Sequence, residues 1–300
     1  ADTVIADNEL NAIQAFNLGK ALDVRVMDRT EIILEIFARR ARSAEAQLQV
    51  ELARQEFLLK RIPVTESQQR FKGKANVRGP GESALQLRNE PLRRRIAELK
   101  RKLASIQERQ TRRGQVRREW PLVSLVGYTN AGKSTLLNAL AGADAYVDDK
   151  LFATLDTKTR KAWLAPTREV LLTDTVGFIR NLPHALVASF RSTLEVAVQA
   201  DLLLIVVDAA YPCVDDHIAV CHATLLEIGA QQVPYLLVLN KCDRGTSDHA
   251  VLHVTERHPH ALPVSARTGF GLDLLKRAII EELLKHGQVW ALPPARQKRV

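Results

Sequence analysis

One eight-residue segment constrains the fold of this chain more than any other. Residues 127–134 read Gly-Tyr-Thr-Asn-Ala-Gly-Lys-Ser, which matches the pattern G-x-x-x-x-G-K-S. The apolar run Pro121–Val126 precedes the segment and is typical of a strand, and Ser134–Leu140 follows it with a helical pattern. A glycine-rich turn between a strand and a helix lets successive backbone N–H groups surround a phosphate. The segment therefore predicts a nucleotide-binding α/β sheet.

Two side chains of this loop carry charge and metal chemistry. Lys133 is expected to supply positive charge to the β- and γ-phosphates, and Ser134 is expected to supply a hydroxyl to Mg²⁺. The whole segment is the predicted phosphate cradle, comprising Gly127, Tyr128, Thr129, Asn130, Ala131, Gly132, Lys133, Ser134 and the adjoining Thr135.

A second motif, Asp174-Thr-Val-Gly177, comes about 40 residues after the loop and directly after the apolar run Val170–Leu172. Asp174 can hold Mg²⁺ through water, and the N–H of Gly177 can contact the γ-phosphate. Many GTPases place a glutamine next, to orient the attacking water. Phe178 stands there. A phenyl ring cannot orient water by hydrogen bonding, so we expect slow intrinsic hydrolysis that a partner accelerates.

A third group of residues predicts the base. Asn240, Lys241 and Asp243 follow the apolar run 235–239, and Ser265 and Ala266 follow another at 262–264. The Asp243 carboxylate can accept hydrogen bonds from both N1–H and N2–H of guanine. Adenine lacks that pair of donors, and a site built for such donors rejects the wrong ligand by roughly 10⁴–10⁵. The nucleotide is therefore predicted to be GTP.

The segment from 120 to 288 is predicted to be one GTPase domain, with an irregular basic tail at 289–300. Its apolar runs alternate with helical patterns, which predicts a largely parallel sheet with helices on both faces. None of these runs approaches the ~20 apolar residues of a membrane span.

The three cysteines form no CxxC pair, which favours a reducing compartment. His217 and Cys221 stand four residues apart; they could share a metal, although ordinary helix residues are the better interpretation.

Two further zones precede this domain. Residues 1–42 read as a small β-α-β-α subdomain without a GxGxxG motif. Residues 43–119 read as two long antiparallel helices with a Gly/Pro-rich loop, and the second helix carries a heptad seam. The members of that seam are Leu92, Ile96, Leu99, Leu103 and Ile106.

The second of these helices also carries the charge. Arg88–Arg118 contains twelve Lys and Arg residues against three Glu, a net +9 that equals the net charge of the whole chain. A basic arm of this kind suits a phosphate backbone. The alternative is a solvated helix face without a partner.

These motifs, with Phe152–Thr157, Arg78–Glu82, residues 29–42 and the stretch DTVGFIRNLPH at 174–184, resemble the HflX family of ribosome-associated GTPases over essentially the whole chain. The resemblance implies Mg²⁺-dependent GTP hydrolysis, with Thr154 as the threonine that reaches Mg²⁺ and Thr157 as second choice. It also implies that Phe152 lies in the nucleotide site. The catalytic set is then Lys133, Thr154, Gly177 and Phe178.

The resemblance further implies a partner, the large ribosomal subunit with its rRNA, and a role in splitting stalled ribosomes or in late subunit maturation. The residues expected to contact RNA are Arg78, Gly79, Pro80, Gly81, Arg93, Arg94 and Arg95. A GTP-gated assembly or anti-association factor with incidental hydrolysis is the first alternative. A signalling GTPase and an ATP-driven RNA remodeller are the others.

Departures from the bacterial pattern lie at Ser83–Glu90 and at Cys242, where isoleucine is usual. These departures are similar to an organellar member of the family. We therefore expect the protein to lie in the mitochondrial matrix, with the cytoplasm as the alternative, and to be a monomer when free.

Asn130 matches a position where some GTPases lacking the glutamine hold K⁺. The alternative is that its side chain bonds its own loop.

Overall fold

The computed structural model describes residues 2–61, 84–114, 120–142, 158–180, 191–244 and 254–288. The chain forms two compact units. One consists mainly of residues 1–111, and the other comprises most of the chain from residue 112 onward. The predicted subdomain 1–42 and most of the predicted segment 43–119 lie in the first unit.

The first unit begins with the predicted β-α-β-α order. Its elements are β1 (Thr3–Ala6), α1 (Ala12–Leu22), β2 (Arg25–Asp28) and α2 (Arg29–Arg40). The two strands pair in parallel, as the right-handed connection through a helix requires. Asp28 caps α2 by accepting a hydrogen bond from the Glu31 N–H at 2.9 Å. Helix α1 begins at Ala12, because Asn11 forms a capping box with Gln14.

Two further helices, α3 (Ala44–Lys60) and α4 (Ala84–Gly114), meet along the predicted seam. Leu99 and Leu103 of α4 are buried against Leu52 of α3, with Leu48 and Ile96 beside them. Ion pairs join Glu51 to Arg95 and Glu56 to Lys100. The antiparallel direction of the two helices stays a prediction. The loop that connects the helices lies outside the described residues.

The second unit is built on a six-stranded sheet. The strands are β3 (Leu122–Gly127), β4 (Lys158–Ala165), β5 (Arg168–Asp174), β6 (Leu202–Asp208), β7 (Tyr235–Asn240) and β8 (Leu262–Pro263). They lie in the order β4-β5-β3-β6-β7-β8, and every neighbouring pair is parallel except β4 with β5. The predicted, largely parallel sheet is confirmed.

Strand β4 was not predicted from the sequence. Its segment looks polar because Lys161 and Trp163 face solvent, while the alternate residues Ala162 and Leu164 are buried. A tight connection that contains Thr167, with φ +70°, turns the chain into β5. The alternation of exposed and buried residues was the signal that could have revealed this edge strand.

Helices cover both faces of the sheet. They are α5 (Lys133–Ala141), α6 (Arg191–Val198), α7 (Val214–Ile228) and α8 (Leu272–Lys285). The buried side chains of α5 and α8, among them Leu136 and Ile279, join the inner residues of the strands in one apolar core. Helices α6 and α7 pack against β3. Within the described residues, no helix combines the length and the apolar content needed to cross a bilayer.

This topology fixes where a ligand can bind. Strands β3, β5, β6 and β7 are parallel, so their carboxyl ends meet at one edge of the sheet. In open α/β sheets that edge is where ligands bind. The three predicted motifs all begin there, at Gly127, Asp174 and Asn240.

Candidate guanine nucleotide site

Two glycines give the loop between β3 and α5 its shape. Gly127 has φ +152° and Gly132 has φ +88°. A Cβ on Gly127 would lie 2.1 Å from the carbonyl oxygen of Val206, and a Cβ on Gly132 would lie 2.4 Å from Asn240 Nδ2. Only glycine fits at either position, because the neighbouring strands pack directly against the loop.

The Lys133 side chain is folded under this loop and is only 6% exposed. Its Nζ donates hydrogen bonds to the carbonyl oxygens of Gly127 at 3.0 Å and Tyr128 at 2.9 Å. Burial lowers the pKa of Lys133, and the negative charge of Asp174 opposes that shift. An ammonium has three donors, so two bonds to the loop leave one for a phosphate oxygen.

Ser134 and Asp174 bring metal-binding oxygens together. The Ser134 hydroxyl donates to Asp174 Oδ2 at 2.6 Å, and Asp174 is fully buried at the end of β5. One hydroxyl and one carboxylate suit Mg²⁺, which takes few protein ligands and completes its shell with phosphates and water. Phe152, Thr154 and the alternative Thr157 lie outside the described residues.

The segment after Asp174 is fastened to the phosphate loop by its backbone. The Phe178 N–H donates to the Gly127 carbonyl at 2.9 Å, and the Thr129 N–H donates to the Phe178 carbonyl at 2.8 Å. A Cβ on Gly177 would lie 3.1 Å from Lys133 Nζ, so Gly177 stands directly beside the lysine ammonium. The Gly177 N–H, which is predicted to contact the γ-phosphate, therefore lies beside the lysine that is predicted to supply charge to the same phosphate.

Phe178 differs from its predicted place among the catalytic side chains. Its ring is 1% exposed and packs into the core. In the described residues, Phe178 contributes to the site through its backbone hydrogen bonds to Gly127 and Thr129. The expectation that this ring cannot orient water agrees with its burial.

Asn240 ties the base side of the site to the phosphate side. Its Nδ2 donates to the Ala131 carbonyl at 2.9 Å, and its Oδ1 accepts from the Ala266 N–H at 3.0 Å. The next residue, Lys241, donates through Nζ to the carbonyl oxygen of Asn130 at 2.6 Å and to Asp208 Oδ2 at 2.7 Å. Sequence reasoning did not assign Asp208 to the site. Its position in the sequence could have identified it, because Asp208 is the charged residue that ends the apolar strand β6.

Asp243 is held as an ionised acceptor. Ser265 donates to Oδ1 at 2.6 Å, and the Arg267 guanidinium lies 2.6 Å from Oδ2. The hydrogen bond from Ser265, followed by the nearby arginine charges, keeps the pKa of Asp243 below its ordinary value. Sequence reasoning missed Arg267, because nothing in the base motif requires an arginine there.

Thr135 and Asn130 also belong to the predicted phosphate cradle. Thr135 lies in the first turn of α5, and Asn130 is exposed with φ +61°. Among the residues that the structure describes, no hydrogen bond joins the Asn130 side chain to its own loop.

His217 and Cys221 serve packing rather than metal chemistry. The His217 ring lies between two tyrosine rings, and Cys221 is fully buried. Burial raises the pKa of the Cys221 thiol to about 12. In the described part of the chain, no group of three or more His, Cys, Asp or Glu side chains is placed to hold a metal ion.

The predicted RNA-binding residues belong to the first unit. Arg93 is exposed, Arg94 pairs with Glu90 at 2.9 Å, and Arg95 pairs with Glu51 at 2.6 Å and with Glu98. Arg95 therefore links α4 to α3 through its ion pair with Glu51, which is a different role from the RNA contact predicted for it. Arg78, Gly79, Pro80 and Gly81 lie outside the described residues.

Three family models match the chain in sequence. Their descriptions are GTP-binding GTPase N-terminal for residues 1–38, GTP-binding GTPase Middle Region for 40–117, and 50S ribosome-binding GTPase for 122–241. The GTPase HflX of Caldanaerobacter subterraneus subsp. tengcongensis is 47% identical over 292 residues, which cover 96% of this chain and 67% of that protein. The chain belongs to the HflX family of GTPases.

Other HflX proteins support the assignment. GTPase HflX of Escherichia coli K12 is 43% identical over 94% of this chain and 67% of its own length, and that of Chlamydia pneumoniae is 45% identical over 93% and 61%. The chain thus spans about two thirds of the length of these relatives. Its fold is similar to the crystal structure of a GTP-binding protein from Sulfolobus solfataricus in complex with GDP, with a TM-score of 0.53, 28% identity, and 95% and 81% of the two chains covered.

A methyl group on Gly132 tests the geometry of the phosphate loop. Gly132→Ala is expected to weaken GDP binding more than about tenfold, or about 1.4 kcal/mol, because its Cβ would clash with Asn240 and strain a positive φ. Titration of a fluorescent GDP analogue measures the loss. Gly142→Ala is the matched control, since Gly142 also has positive φ, at +62°, but meets nothing within 4 Å at the other end of α5. Equal losses in both variants would contradict the clash.

An amide at Asp243 tests the base assignment. Asp243→Asn is expected to weaken GTP binding by about tenfold to a hundredfold, the equivalent of 1–3 kcal/mol for a mismatched buried group. The variant should shift preference toward xanthine nucleotides, because one acceptor becomes a donor. Competition between GTP and XTP provides the measurement, with the exposed Asp273→Asn in α8 as control. Unchanged GTP affinity in Asp243→Asn would show that Asp243 does not bind the base.

Proposed function

We propose that this chain is a Mg²⁺-dependent GTPase that binds the large ribosomal subunit and its rRNA. Its GTP cycle serves ribosome splitting and recycling, or late maturation of that subunit. The observation that carries the proposal is the combination in one chain of a guanine nucleotide site and a helix, α4, that holds most of the chain's excess positive charge.

The nucleotide site supplies the parts of phosphoryl transfer that stabilise charge. Lys133 and the N–H of Gly177, which lie side by side, would stabilise the negative charge that develops on the γ-phosphate oxygens. Ser134 and Asp174 would hold Mg²⁺, which neutralises charge on the β- and γ-phosphates when it is bound. Asp243 and Asn240 hold the base end, so that the γ-phosphate is fixed relative to Lys133.

The site does not supply a side chain that orients water at the position after Gly177, because the Phe178 ring is buried. A missing orienting group slows the attack of water, and an added positive group accelerates it; an arginine finger is worth on the order of 10³–10⁵ in rate. Turnover is therefore slow in the free protein and increases on the large subunit. If the subunit binds in a GTP-dependent way but leaves turnover unchanged, the chain is instead a GTP-gated assembly or anti-association factor.

Helix α4 supports the choice of partner. Arg93 and Arg101 are exposed on it, and Arg94 pairs with the partly exposed Glu90 of the same helix. Basic side chains on one helix neutralise phosphates and release counterions, which makes binding salt-dependent. The matching family model that is described as 50S ribosome-binding GTPase, on residues 122–241, supports the same partner.

Charge reversal on α4 tests this partner. Arg93→Glu with Arg101→Glu is expected to weaken cosedimentation with large subunits. The slope of the logarithm of the binding constant against the logarithm of the salt concentration should become less steep by about 0.7–0.9 per lost phosphate contact. The pair leaves Arg95 intact, because losing Arg95 would break its ion pairs with Glu51 and Glu98. GDP affinity should not change.

The matched control reverses the same number of charges on α8, as Arg277→Glu with Lys285→Glu. Subunit binding that responds equally to both double variants would reflect net charge alone. Binding unaffected by the α4 variant at every salt concentration would leave α4 as a solvated helix face.

A monovalent cation is the second proposed source of positive charge. Asn130 is exposed in the phosphate loop with a positive φ. Turnover is expected to be faster in KCl than in matched NaCl, and Asn130→Gly should remove the difference. Glycine is the appropriate replacement because it accepts the φ of +61° without strain. Equal rates of the parent protein in the two salts would exclude K⁺.

The mitochondrial matrix is the proposed location, and the cytoplasm is the alternative. The support is the departure from the bacterial pattern at Ser83–Glu90 and at Cys242. Cell fractionation against matrix and cytosolic markers tests it.

A further inference from the structure

A stack of three rings links the phosphate loop to the start of α7. The His217 ring lies 3.8 Å from the Tyr128 ring at an interplanar angle of 9°, and 4.1 Å from the Tyr211 ring at 16°. His217 is 8% exposed. Stacked rings of this kind contribute beyond their buried area and restrict one another in orientation. The second residue of the phosphate loop is therefore held by a side chain from outside the nucleotide motifs.

The same tyrosine also holds the segment 174–180, here called the switch segment. Tyr128 Oη accepts a hydrogen bond from the Arg180 N–H at 3.2 Å. The Arg180 guanidinium in turn lies 3.0 Å from Asp216, the residue next to His217. The contacts form a closed ring that runs from Tyr128 to His217, through Asp216 to Arg180, and back to Tyr128.

This ring of contacts reaches the switch segment, which contains Gly177. Phe178 bonds to Gly127 and to the N–H of Thr129, so the switch segment is fastened two residues before Arg180 as well. Gly177, beside Lys133, directly precedes the fastened residue Phe178. The Phe178 ring is buried, so Phe178 can help to order the γ-phosphate surroundings through its backbone and not through its side chain.

Burial favours a neutral His217 ring. Burial lowers the pKa of His217, Asp208 and Asp216 oppose that shift, and Arg180 adds to it. The ring therefore acts through its faces and not through a positive charge. A carbocyclic ring of similar size should replace it.

We propose that His217 is a positioning residue for GTP hydrolysis: stacked on Tyr128, it holds the phosphate loop and the switch segment in the register that presents the Gly177 N–H to the γ-phosphate. The inference depends on the proposed GTP hydrolysis. It adds to that proposal a residue that touches neither nucleotide nor metal.

The test compares steady-state GTP hydrolysis of the parent protein with that of His217→Ala, His217→Phe and the control His222→Ala. His222 lies on the same helix, but its ring contacts Tyr235, away from the phosphate loop. His217→Ala is expected to lower kcat by about tenfold to a hundredfold, the range that a displacement near 1 Å can cause, while KM changes less than about twofold. His217→Phe should restore most of the rate, and His222→Ala should match the parent protein.

Three outcomes would overturn the inference: a parent-like kcat in His217→Ala, equal losses in the Ala and Phe variants, or an equal loss in His222→Ala. If His217→Ala does not fold, Tyr128→Phe decides, because it keeps the stacked ring and removes only the acceptor for Arg180. A lower kcat with GDP affinity unchanged supports the inference, and a parent-like kcat contradicts it. A parent protein that binds GTP without hydrolysing it would instead refute the proposed function.

Discussion

The nucleotide site depends on the carboxamide of Asn240 more than on any group that touches a phosphate. Its amide donates to Ala131 in the phosphate loop, and its oxygen accepts from Ala266 in the loop after β8. These two segments are far apart in the sequence and meet only because β3 and β7 end at the same edge of the sheet. Gly132 has to be glycine for the same reason, since a methyl group there would collide with the Asn240 amide. The base-binding and phosphate-binding parts are therefore joined through one side chain.

The sequence predicts this half of the molecule well, because each motif directly follows a buried strand. The apolar runs at 122–126, 202–207 and 235–239 match β3, β6 and β7 to within a residue or two. Strand β4 could not be found in the same way, since it is an edge strand with one face in solvent and lacks a continuous apolar run. Asp208 and Arg267 were missed for another reason: their roles come from ion pairs with Lys241 and Asp243, which are distant from them in the sequence.

Helix α4 shows the limit of counting charges. Its net charge is a property of the sequence, but its available charge is a property of the fold. Arg95 and Lys100 pair with glutamates of α3, and Lys102 pairs with Glu98 on α4 itself. Exposed pairs of this kind contribute little to stability, typically below about 1 kcal/mol, so a phosphate can compete for them. Arg93 and Arg101 are the arginines that a phosphate reaches without such competition from an ion pair in the described residues.

The three cysteines differ sharply in chemical accessibility, and this gives the protein a built-in labelling site. Only a thiolate reacts with alkylating reagents. Cys221 is fully buried, and its thiol, with a pKa raised to about 12, is inert at neutral pH; Cys242 is half-buried, and its pKa is also raised by burial. Cys213 is exposed and caps the start of α7, one turn before His217, whose N–H donates to its carbonyl at 3.4 Å. A single fluorophore can therefore be attached to the unmodified chain at Cys213, where its emission would report movements of the helix end that carries the ring stack.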